Sequence, residues 1–274
     1  MAAPGHLAGD VRVLVTDRPR QPRPSRAGEG RPLRPRRRPC PVDAVGAPTG
    51  TPNRRRAGST DVNVVFDLDG TVWDSEPGIL ACLVHTLDAL GLPVPTDQVL
   101  RSHIGPPLPL MLEMVGVPAG HVEAGVRLYR DRYVRAGVYE ASLYDGAVDM
   151  LDAVAAAGHT LATATSKGEG PTRTMLDHFG LTDRFTVIGA ASMDGTSISK
   201  TDVLARTLAG LGDPAPSDCV LVGDRDLDVL GAAAHGIDCI GASWGYGAVG
   251  ELQAAGAWAV AEHPSDVPGL VARR

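Results

Sequence analysis

The chain has 274 residues, a formal net charge of −6 and an apolar fraction of 43%. No run approaches the ~18 consecutive apolar residues of a membrane span, and the first twenty residues lack the basic-then-apolar order of a signal peptide. We therefore expect a soluble, cytoplasmic protein with one main core and a smaller appended domain.

Residues 1–60 differ sharply from the rest of the chain in charge. They hold thirteen arginines, four acidic residues and ten prolines, giving a formal charge of +9 against −15 for residues 61–274. A segment with so few large apolar residues is expected to be disordered. It could bind nucleic acid, an acidic partner or the acidic body, or it could be an artefact of an upstream start codon. The absence of aromatic residues weakens a base-stacking mode.

The four cysteines, Cys40, Cys82, Cys219 and Cys239, form no CxxC pair. Cys219 and Cys239 lie in apolar runs, so buried, reduced thiols are the favoured interpretation.

From residue 62 onward, short apolar segments alternate with helical patterns. The apolar segments predict strands that are buried on both faces, at 62–66, 159–165, 185–190, 219–223 and 238–243. The helical patterns lie at 145–158, 170–180, 199–212 and 228–236. Strands that alternate with helices predict βαβ units and a parallel sheet.

Residues 77–143 interrupt this alternation. Helical patterns at 78–91 and 121–137 flank a segment without a convincing strand, which predicts a helical insertion after the first strand. Within it, "SHIGPPL" (102–108) is either a substrate-facing loop or a proline-stiffened turn. The insertion's arginines predict a solvated helix face, with one of them as a candidate for substrate contact: Arg101, Arg127, Arg130, Arg132 and Arg135. "WGYG" (244–247), after the fifth strand, is a candidate for lining the site, although a loop packed against the core is the favoured interpretation.

Polar side chains follow several of the predicted strands. In open parallel sheets, ligands bind at the carboxyl ends of the strands. The residues expected to meet there are Asp67, Asp69, Thr165, Ser166, Lys167, Lys200, Asp224 and Asp228. Crowded carboxylates require a hard cation, for which Mg²⁺ is the best candidate, and the neighbouring hydroxyl, amide and ammonium donors suit a phosphate.

Four of these segments resemble the motifs of a known family, the haloacid dehalogenase-like (HAD) hydrolases. In chain order they are "VVFDLDGT", the Thr of "LATATSK", Lys200 and "VLVGDRDLD". The resemblance covers essentially all of 62–274 and is strongest to the branch of phosphoglycolate phosphatase, which includes 5′-nucleotidases. It implies a Rossmann-like, three-layer α/β/α core at 61–76 and 144–274, with an α-helical cap at 77–143.

The resemblance also implies a role for each site residue. Asp67 is the nucleophile that becomes an aspartyl-phosphate, and Asp69 is the general acid and base. Thr165 holds a phosphate oxygen, and Lys200 neutralises developing charge. Mg²⁺ is held by Asp67, the main-chain carbonyl of Asp69 and Asp224, with support from Asp228. Substrate-binding roles are predicted for Gly70, Thr71, Ser166 and Lys167.

The second carboxylate narrows the expected chemistry. Dehalogenases of the superfamily lack it and ion-pumping ATPases have Thr there, whereas Asp69 suits protonation of an alcohol leaving group. We therefore expect hydrolysis of a small phosphorylated metabolite, phosphoglycolate-like or a nucleoside monophosphate. The alternatives are a phosphotransferase, such as a phosphomutase or a protein-tyrosine phosphatase or kinase-like enzyme, and an adaptor with a relict site and a binding tail.

Overall fold

The computed structural model describes residues 61–192 and 199–274, so the tail expected to be disordered lies outside the described residues. Within the described part there are eight strands: β1 Asn63–Phe66, β2 Trp73–Asp74, β3 Ser142–Leu143, β4 Thr160–Gly168, β5 Val187–Ala191, β6 Cys219–Gly223, β7 Asp238–Ala242 and β8 Ala259–Ala261. The same part contains ten α-helices: α1 Glu76–Ala89, α2 Asp97–Arg101, α3 Leu108–Met114, α4 Val122–Arg135, α5 Ala147–Ala156, α6 Glu169–His178, α7 Lys200–Gly210, α8 Asp226–Ala234, α9 Glu251–Ala255 and α10 Val267–Val271.

Six of the strands form one parallel sheet in the order β5–β4–β1–β6–β7–β8. β1 lies at its centre, where Val64 pairs with Leu161 of β4 on one side and with Val220 of β6 on the other. Both neighbours are parallel to β1, so the carboxyl ends of all three strands meet at one edge. This arrangement confirms the predicted α/β fold class.

The sheet is buried on both faces, as its apolar strands predict. Val64 and Phe66 of β1 pack on the side that carries apolar residues of α5, α6 and α10. Val65 points to the opposite side and packs with residues of α7, α8 and α9. This alternation along one strand produces the three-layer α/β/α arrangement.

Two strand features differ from the expectation. β4 continues to Gly168 instead of ending at Thr165, and its register with β5 shifts between Thr165 and Gly168. The strands β2 and β3 were not predicted because each has only two residues; they pair antiparallel and bracket the helical segment. The edge strand β8 was also missed.

The segment between β2 and β3 contains α1, α2, α3 and α4 and two 3-10 turns, Ala119–His121 and Gly137–Tyr139. α1 packs against α4, and α4 packs against α3. Gly125 of α4 allows the close approach, because a Cβ there would lie 3.2 Å from Leu112 and 3.5 Å from Thr86. Residues 61–274 lie within a single compact unit, so the boundaries of a separate cap domain stay a prediction.

Candidate active site

The chain leaves strand geometry directly after β1, which separates the two carboxylates of the first motif. Asp67 is still tied to the sheet, since its N–H donates to the Val222 carbonyl at 2.8 Å. The following residues turn back, with Thr71, Val72 and Trp73 all donating their N–H groups to the Leu68 carbonyl. Gly70 adopts φ +79°, a conformation that residues with a Cβ rarely take. The turn therefore gives Asp67 and Asp69 different surroundings although they are two residues apart.

Asp69 is held by three side chains that its neighbourhood supplies. Its Oδ1 accepts hydrogen bonds from Trp73 Nε1 at 2.8 Å and Ser75 Oγ at 2.5 Å. Its Oδ2 lies 3.2 Å from Lys167 Nζ. That ammonium in turn donates to the Tyr133 hydroxyl of α4 at 2.5 Å and lies 4.4 Å from the centre of its ring. The predicted general acid is thus fixed in orientation, and Lys167 connects it to the helical segment.

Three carboxylates converge at the sheet edge. One oxygen each of Asp67, Asp224 and Asp228 lies within 4.8 Å of the others, and all three residues are buried. We call Asp67, Asp224 and Asp228 the carboxylate floor. Burial raises the pKa of Asp67 to about 6, with Lys200 opposing the shift and Asp228 and Asp69 adding to it. Burial, followed by Asp228 and Asp67, also raises the pKa of Asp224 well above its usual range.

Lys200 supplies the positive charge inside this floor. Its Nζ lies 2.9 Å from Asp67 Oδ1 and 2.7 Å from Asp228 Oδ1, and it donates to the Ala164 carbonyl at 2.8 Å. Burial alone would lower its pKa, but the two carboxylates outweigh this and hold the pKa above its ordinary value. These contacts explain a lysine in the first turn of α7, where the helix dipole disfavours a cation.

Asp224 is the most tightly enclosed of the three carboxylates. Its Oδ2 accepts the Tyr246 N–H at 2.7 Å, and its Oδ1 accepts from the Thr71 hydroxyl at 3.3 Å. A Cβ at Gly70 would lie 2.2 Å from Asp224 Oδ2, and one at Gly245 would lie 2.3 Å from Asp224 Cβ. The carboxylate is therefore positioned by two loops from opposite ends of the chain.

The residues of the floor fit a divalent metal ion. Three carboxylates face a single ammonium, so the cluster carries excess negative charge. Asp67 Oδ1 and Asp228 Oδ1 are buried and accept no well-aligned hydrogen bond from the described residues, although both lie within ion-pair distance of Lys200. Oxygen donors of this kind are the ligands that a hard cation takes.

A cavity of about 400 Å³ opens above the floor. The sheet contributes Asp67, Asp69, Thr165, Ser166 and Lys167, followed by Lys200, Asp224 and Asp228. The helical segment contributes a side that we call the helical wall, formed by Ile79, Ile104, Leu108, Met111, Tyr129 and Val134. The "SHIGPPL" loop therefore faces the cavity, as its substrate-facing interpretation requires, and contact with a substrate stays a prediction.

Not every predicted substrate residue lies on the cavity. Gly70 and Thr71 are absent from its lining, and Thr71 is fully buried with its hydroxyl committed to Asp224. Both residues pack against Asp224, and their predicted role in substrate binding stays a prediction. Ser166 and Lys167 do line the cavity, and the Lys167 N–H donates to the Thr165 hydroxyl at 3.2 Å.

The sequence did not single out Tyr246, and Arg130 was one of five arginines named as candidates for substrate contact. Tyr246 of "WGYG" lines the cavity and accepts hydrogen bonds from the N–H groups of Ser75 and Glu76, so this loop belongs to the site as well as to the core. Arg130 lines the cavity, whereas Arg127 and Arg132 pair with Glu123 and Glu140.

Arg225, inside "GDRDLD", joins the floor to the helical wall. Its N–H donates to Asp228 Oδ2 at 3.0 Å, and its Nε donates to Glu251 Oε1 at 2.7 Å. One of its terminal nitrogens donates to the Ile104 carbonyl in the "SHIGPPL" loop. Asp228, besides facing Lys200, therefore caps α8, as its position in the sequence permits.

Comparison with known proteins agrees with this geometry. The family model for haloacid dehalogenase-like hydrolases matches residues 64–242. The chain belongs to this family. It is 46% identical over 184 residues to the tyrosine-protein kinase PtkA of Mycobacterium tuberculosis, a match that spans 67% of this chain and 62% of PtkA. It is 36% identical over 193 residues to a 5′-nucleotidase of Pseudomonas aeruginosa, spanning 70% of this chain and 87% of that enzyme.

Solved structures of the family share the fold. A predicted phosphatase from Clostridium acetobutylicum aligns with a TM-score of 0.74 at 30% identity, covering 78% of this chain and 99% of that one. PtkA of Mycobacterium tuberculosis aligns with a TM-score of 0.68 at 39% identity, with the same two coverages. These findings confirm the family resemblance that the four motifs predicted.

In the part of the chain that the structure describes, no helix is long and apolar enough to cross a membrane.

Proposed function

We propose that this protein is a Mg²⁺-dependent phosphomonoesterase that works through an aspartyl-phosphate. The observation that carries the proposal is the floor itself: a buried nucleophile, Asp67, placed between a lysine and two further carboxylates beneath an open cavity. Relatives named as a 5′-nucleotidase and as phosphoglycolate phosphatases support a phosphate monoester as substrate.

In the first half-reaction, a carboxylate oxygen of Asp67 forms a bond to phosphorus as the bond from phosphorus to the ester oxygen breaks. Asp69 delivers its proton to the departing alcohol oxygen. Thr165, Ser166 and Lys167, within the last part of β4, line the cavity and would hold the phosphoryl oxygens, and Lys200 would offset the negative charge that develops on them.

In the second half-reaction, Asp69 accepts a proton from water as the water oxygen forms a bond to phosphorus. The bond from phosphorus to the Asp67 oxygen breaks, which releases inorganic phosphate and restores the Asp67 carboxylate. The hydrogen bonds from Trp73 and Ser75 hold Asp69 in one orientation, which suits a group that donates a proton in the first step and accepts one in the second. Asp67, Asp224 and the Asp69 main-chain carbonyl, with Asp228 behind them, would hold Mg²⁺. When bound, the ion neutralises the carboxylate floor and the phosphate, which would otherwise repel each other.

The test is phosphate release by the purified protein from a panel of phosphate monoesters, with Mg²⁺ and with a chelator. We expect release that depends on Mg²⁺. A protein that folds and releases no phosphate from any ester would favour the third interpretation, an adaptor with a relict site.

Phosphotransfer is the second candidate function. It is favoured by the 46% identity to a relative named as a tyrosine-protein kinase. The two activities share the phospho-enzyme and differ in the acceptor, which is water for a hydrolase. Adding alcohol or protein-tyrosine acceptors and following the phosphoryl group by mass spectrometry separates them. A transfer product that exceeds inorganic phosphate would overturn hydrolysis as the main reaction.

A further inference from the structure

The helical wall is apolar where it faces the phosphate site. Ile79, Ile104, Met111 and Tyr129 are each at most 6% exposed and still line the cavity. The loop before α3 adds Pro106 and Pro107 to this side, and α3 itself adds Pro109. A ligand that reaches from the carboxylate floor to this wall must bury apolar surface there, since the wall offers few hydrogen-bond partners.

The cations around the cavity are almost all committed. Lys200 faces Asp67 and Asp228, Lys167 faces Asp69, and Arg225 is bound to Glu251 and to a main-chain carbonyl. Among the described residues on the cavity, Arg130 is the basic side chain without an ion pair. A substrate carboxylate close to the phosphate would therefore find no uncommitted cation beside it.

Arg130 lines the cavity from the same helix, α4, as Tyr133. It precedes Tyr133, which contacts Lys167, by three residues of α4, or about 4.5 Å along a helix axis. It is exposed, whereas Tyr133 is buried. A leaving group that meets the exposed Arg130 has to extend past the buried apolar side chains of the wall.

We propose that the leaving group is a large aromatic ring system that packs on the helical wall, with Arg130 contacting its outer edge or face. This inference rests on the proposed phosphomonoesterase function and refines it. It favours aryl or nucleoside phosphates over phosphoglycolate, whose small charged leaving group would leave most of the 400 Å³ cavity unfilled and place a carboxylate against apolar side chains. A guanidinium suits the outer position because it stacks on aromatic rings and also pairs with polar acceptors.

Binding of phosphonates tests the wall without depending on turnover. Phosphonates present the charged head without a cleavable ester, so calorimetry with Mg²⁺ present compares leaving groups independently of their reactivity. We expect phenylphosphonate and 1-naphthylphosphonate to bind at least about tenfold more tightly than methylphosphonate, because each ring buries apolar area. Carboxymethylphosphonate binding as tightly as the aromatic compounds would overturn the inference.

A substitution at the rim tests the location. Val134 lines the cavity and is 53% exposed, so Val134→Glu is compatible with folding. We expect it to lower the preference for phenylphosphonate over methylphosphonate about tenfold. The matched control is Val99→Glu, on a helix of the same segment, because Val99 is 43% exposed and does not line the cavity. An equal loss in both variants, or no loss in Val134→Glu, contradicts the proposal.

A second pair of variants tests Arg130 and separates two sources of the aromatic group. Arg130→Gln should weaken the preferred aromatic ligand about threefold to tenfold. Arg127→Gln, one turn earlier on α4 and outside the cavity lining, should not. Measuring the binding of 1-naphthyl phosphate and of adenosine 5′-monophosphate to both variants shows whether a plain aryl group or a nucleoside fits better. A preference for either compound supports the proposal. If wild type and Arg130→Gln bind each compound equally well, the role of Arg130 is overturned.

Failure of this inference differs from failure of the proposed function. If no ester is hydrolysed but phenylphosphonate binds preferentially, the wall is assigned correctly and the phosphatase activity is wrong. If esters are hydrolysed with phosphoglycolate as the best substrate, the activity stands and the aromatic leaving group is wrong.

Discussion

The carboxylate floor and the helical wall are built by different means. Asp67, Asp224 and Asp228 follow central strands, are at most 8% exposed and are fixed by main-chain hydrogen bonds, a lysine and glycine-lined turns. Val134, Leu108 and Arg130 on the opposite side belong to helices of an inserted segment, and Val134 is half exposed. In the proposed reaction, the floor holds the groups that every substrate must meet, whereas the wall meets only the leaving group. The proposal thus assigns the chemistry of the reaction and the choice of substrate to separate parts of the fold.

The largest effects are expected at the two carboxylates of the first motif, and they should differ in kind. Asp67→Asn removes the nucleophile, and Asp69→Asn removes the proton donor and acceptor. Each should lower turnover of an alkyl ester by more than about 10³-fold. With p-nitrophenyl phosphate, whose leaving group needs little protonation, Asp69→Asn should still be phosphorylated and then stall. Intact mass spectrometry should show an increase of about 80 Da, one phosphoryl group, on that variant alone.

The mass measurement has a clear contrary outcome. An adduct on Asp67→Asn, or normal turnover in both variants, would show that the nucleophile and the acid are wrongly assigned. Ser217→Ala is the control for effects of substitution and purification, because Ser217 is exposed and does not line the cavity.

The next effect concerns the charge of the floor. Burial raises the pKa of Asp67 from 3.8 to about 6, so between these values the folded, metal-free protein holds a proton that the unfolded chain has released. The free energy of unfolding should therefore fall as pH rises through this window, and Mg²⁺ should reverse the loss. Thermal unfolding at about pH 4.5 and about pH 7, with chelator and with Mg²⁺, measures it.

Asp224→Asn sharpens this prediction. It removes one of the like charges beside Asp67, so the free energy of unfolding should depend less on pH and the metal-free protein should be more stable. Binding of Mg²⁺ should become weaker. Asp226→Asn is the matched control, since Asp226 is two residues away and outside the three-carboxylate cluster. Unchanged Mg²⁺ dependence in Asp224→Asn would place the metal elsewhere.

A smaller effect is expected where the floor and the wall are joined. Arg225→Gln removes the hydrogen bonds to Glu251 and to the Ile104 carbonyl but keeps the main-chain bond to Asp228. We expect KM to rise about threefold to tenfold, with kcat changed less, because the wall loses its tether and the floor does not. Steady-state kinetics check this, with Arg184→Gln, which loses an exposed pair with Asp152, as the control. A fall in kcat without a rise in KM would mean that the Arg225 side chain positions the carboxylate floor and not the helical wall.

The smallest effect is expected outside both regions. Deleting residues 1–58 should change kcat less than about twofold, because this charged, proline-rich segment lacks the apolar residues for a core. Melting temperature and turnover of the shortened protein measure it. A large drop in either would show that the segment takes part in folding or catalysis.

The carboxylate floor could be predicted from the sequence, because the residues that follow parallel strands lie at one edge of the sheet. Asp67, Lys200, Asp224 and Asp228 follow from that rule and from the family motifs. Thr71 was predicted to bind substrate, yet it is buried and does not line the cavity, because its position depends on how the turn after Asp67 folds back. The position of Thr71 in the first motif therefore did not indicate whether its side chain reaches the cavity.

The helical wall was much harder to predict from the sequence, because it depends on how helices that are distant in the sequence pack together. Arg130 could not be distinguished from the other arginines of the insertion, since which of them finds a carboxylate partner depends on the tertiary structure. Tyr246 had a usable signal, its position directly after the fifth strand, where ligands gather in open sheets. Arg225 had one as well, within the motif that ends β6, but nothing local shows that its side chain reaches Ile104.

The crowding around Asp224 has a consequence for mutational tolerance. Gly70 and Gly245 stand 175 positions apart, yet neither has room for a single carbon beside the same carboxylate. In a library that samples every codon, both positions should reject alanine, the mildest replacement, as strongly as they reject tryptophan. Changes in the proposed cation preference will therefore find no route through Gly70 or Gly245. Such variation has to come from the carboxylates themselves or from the more permissive residues across the cavity.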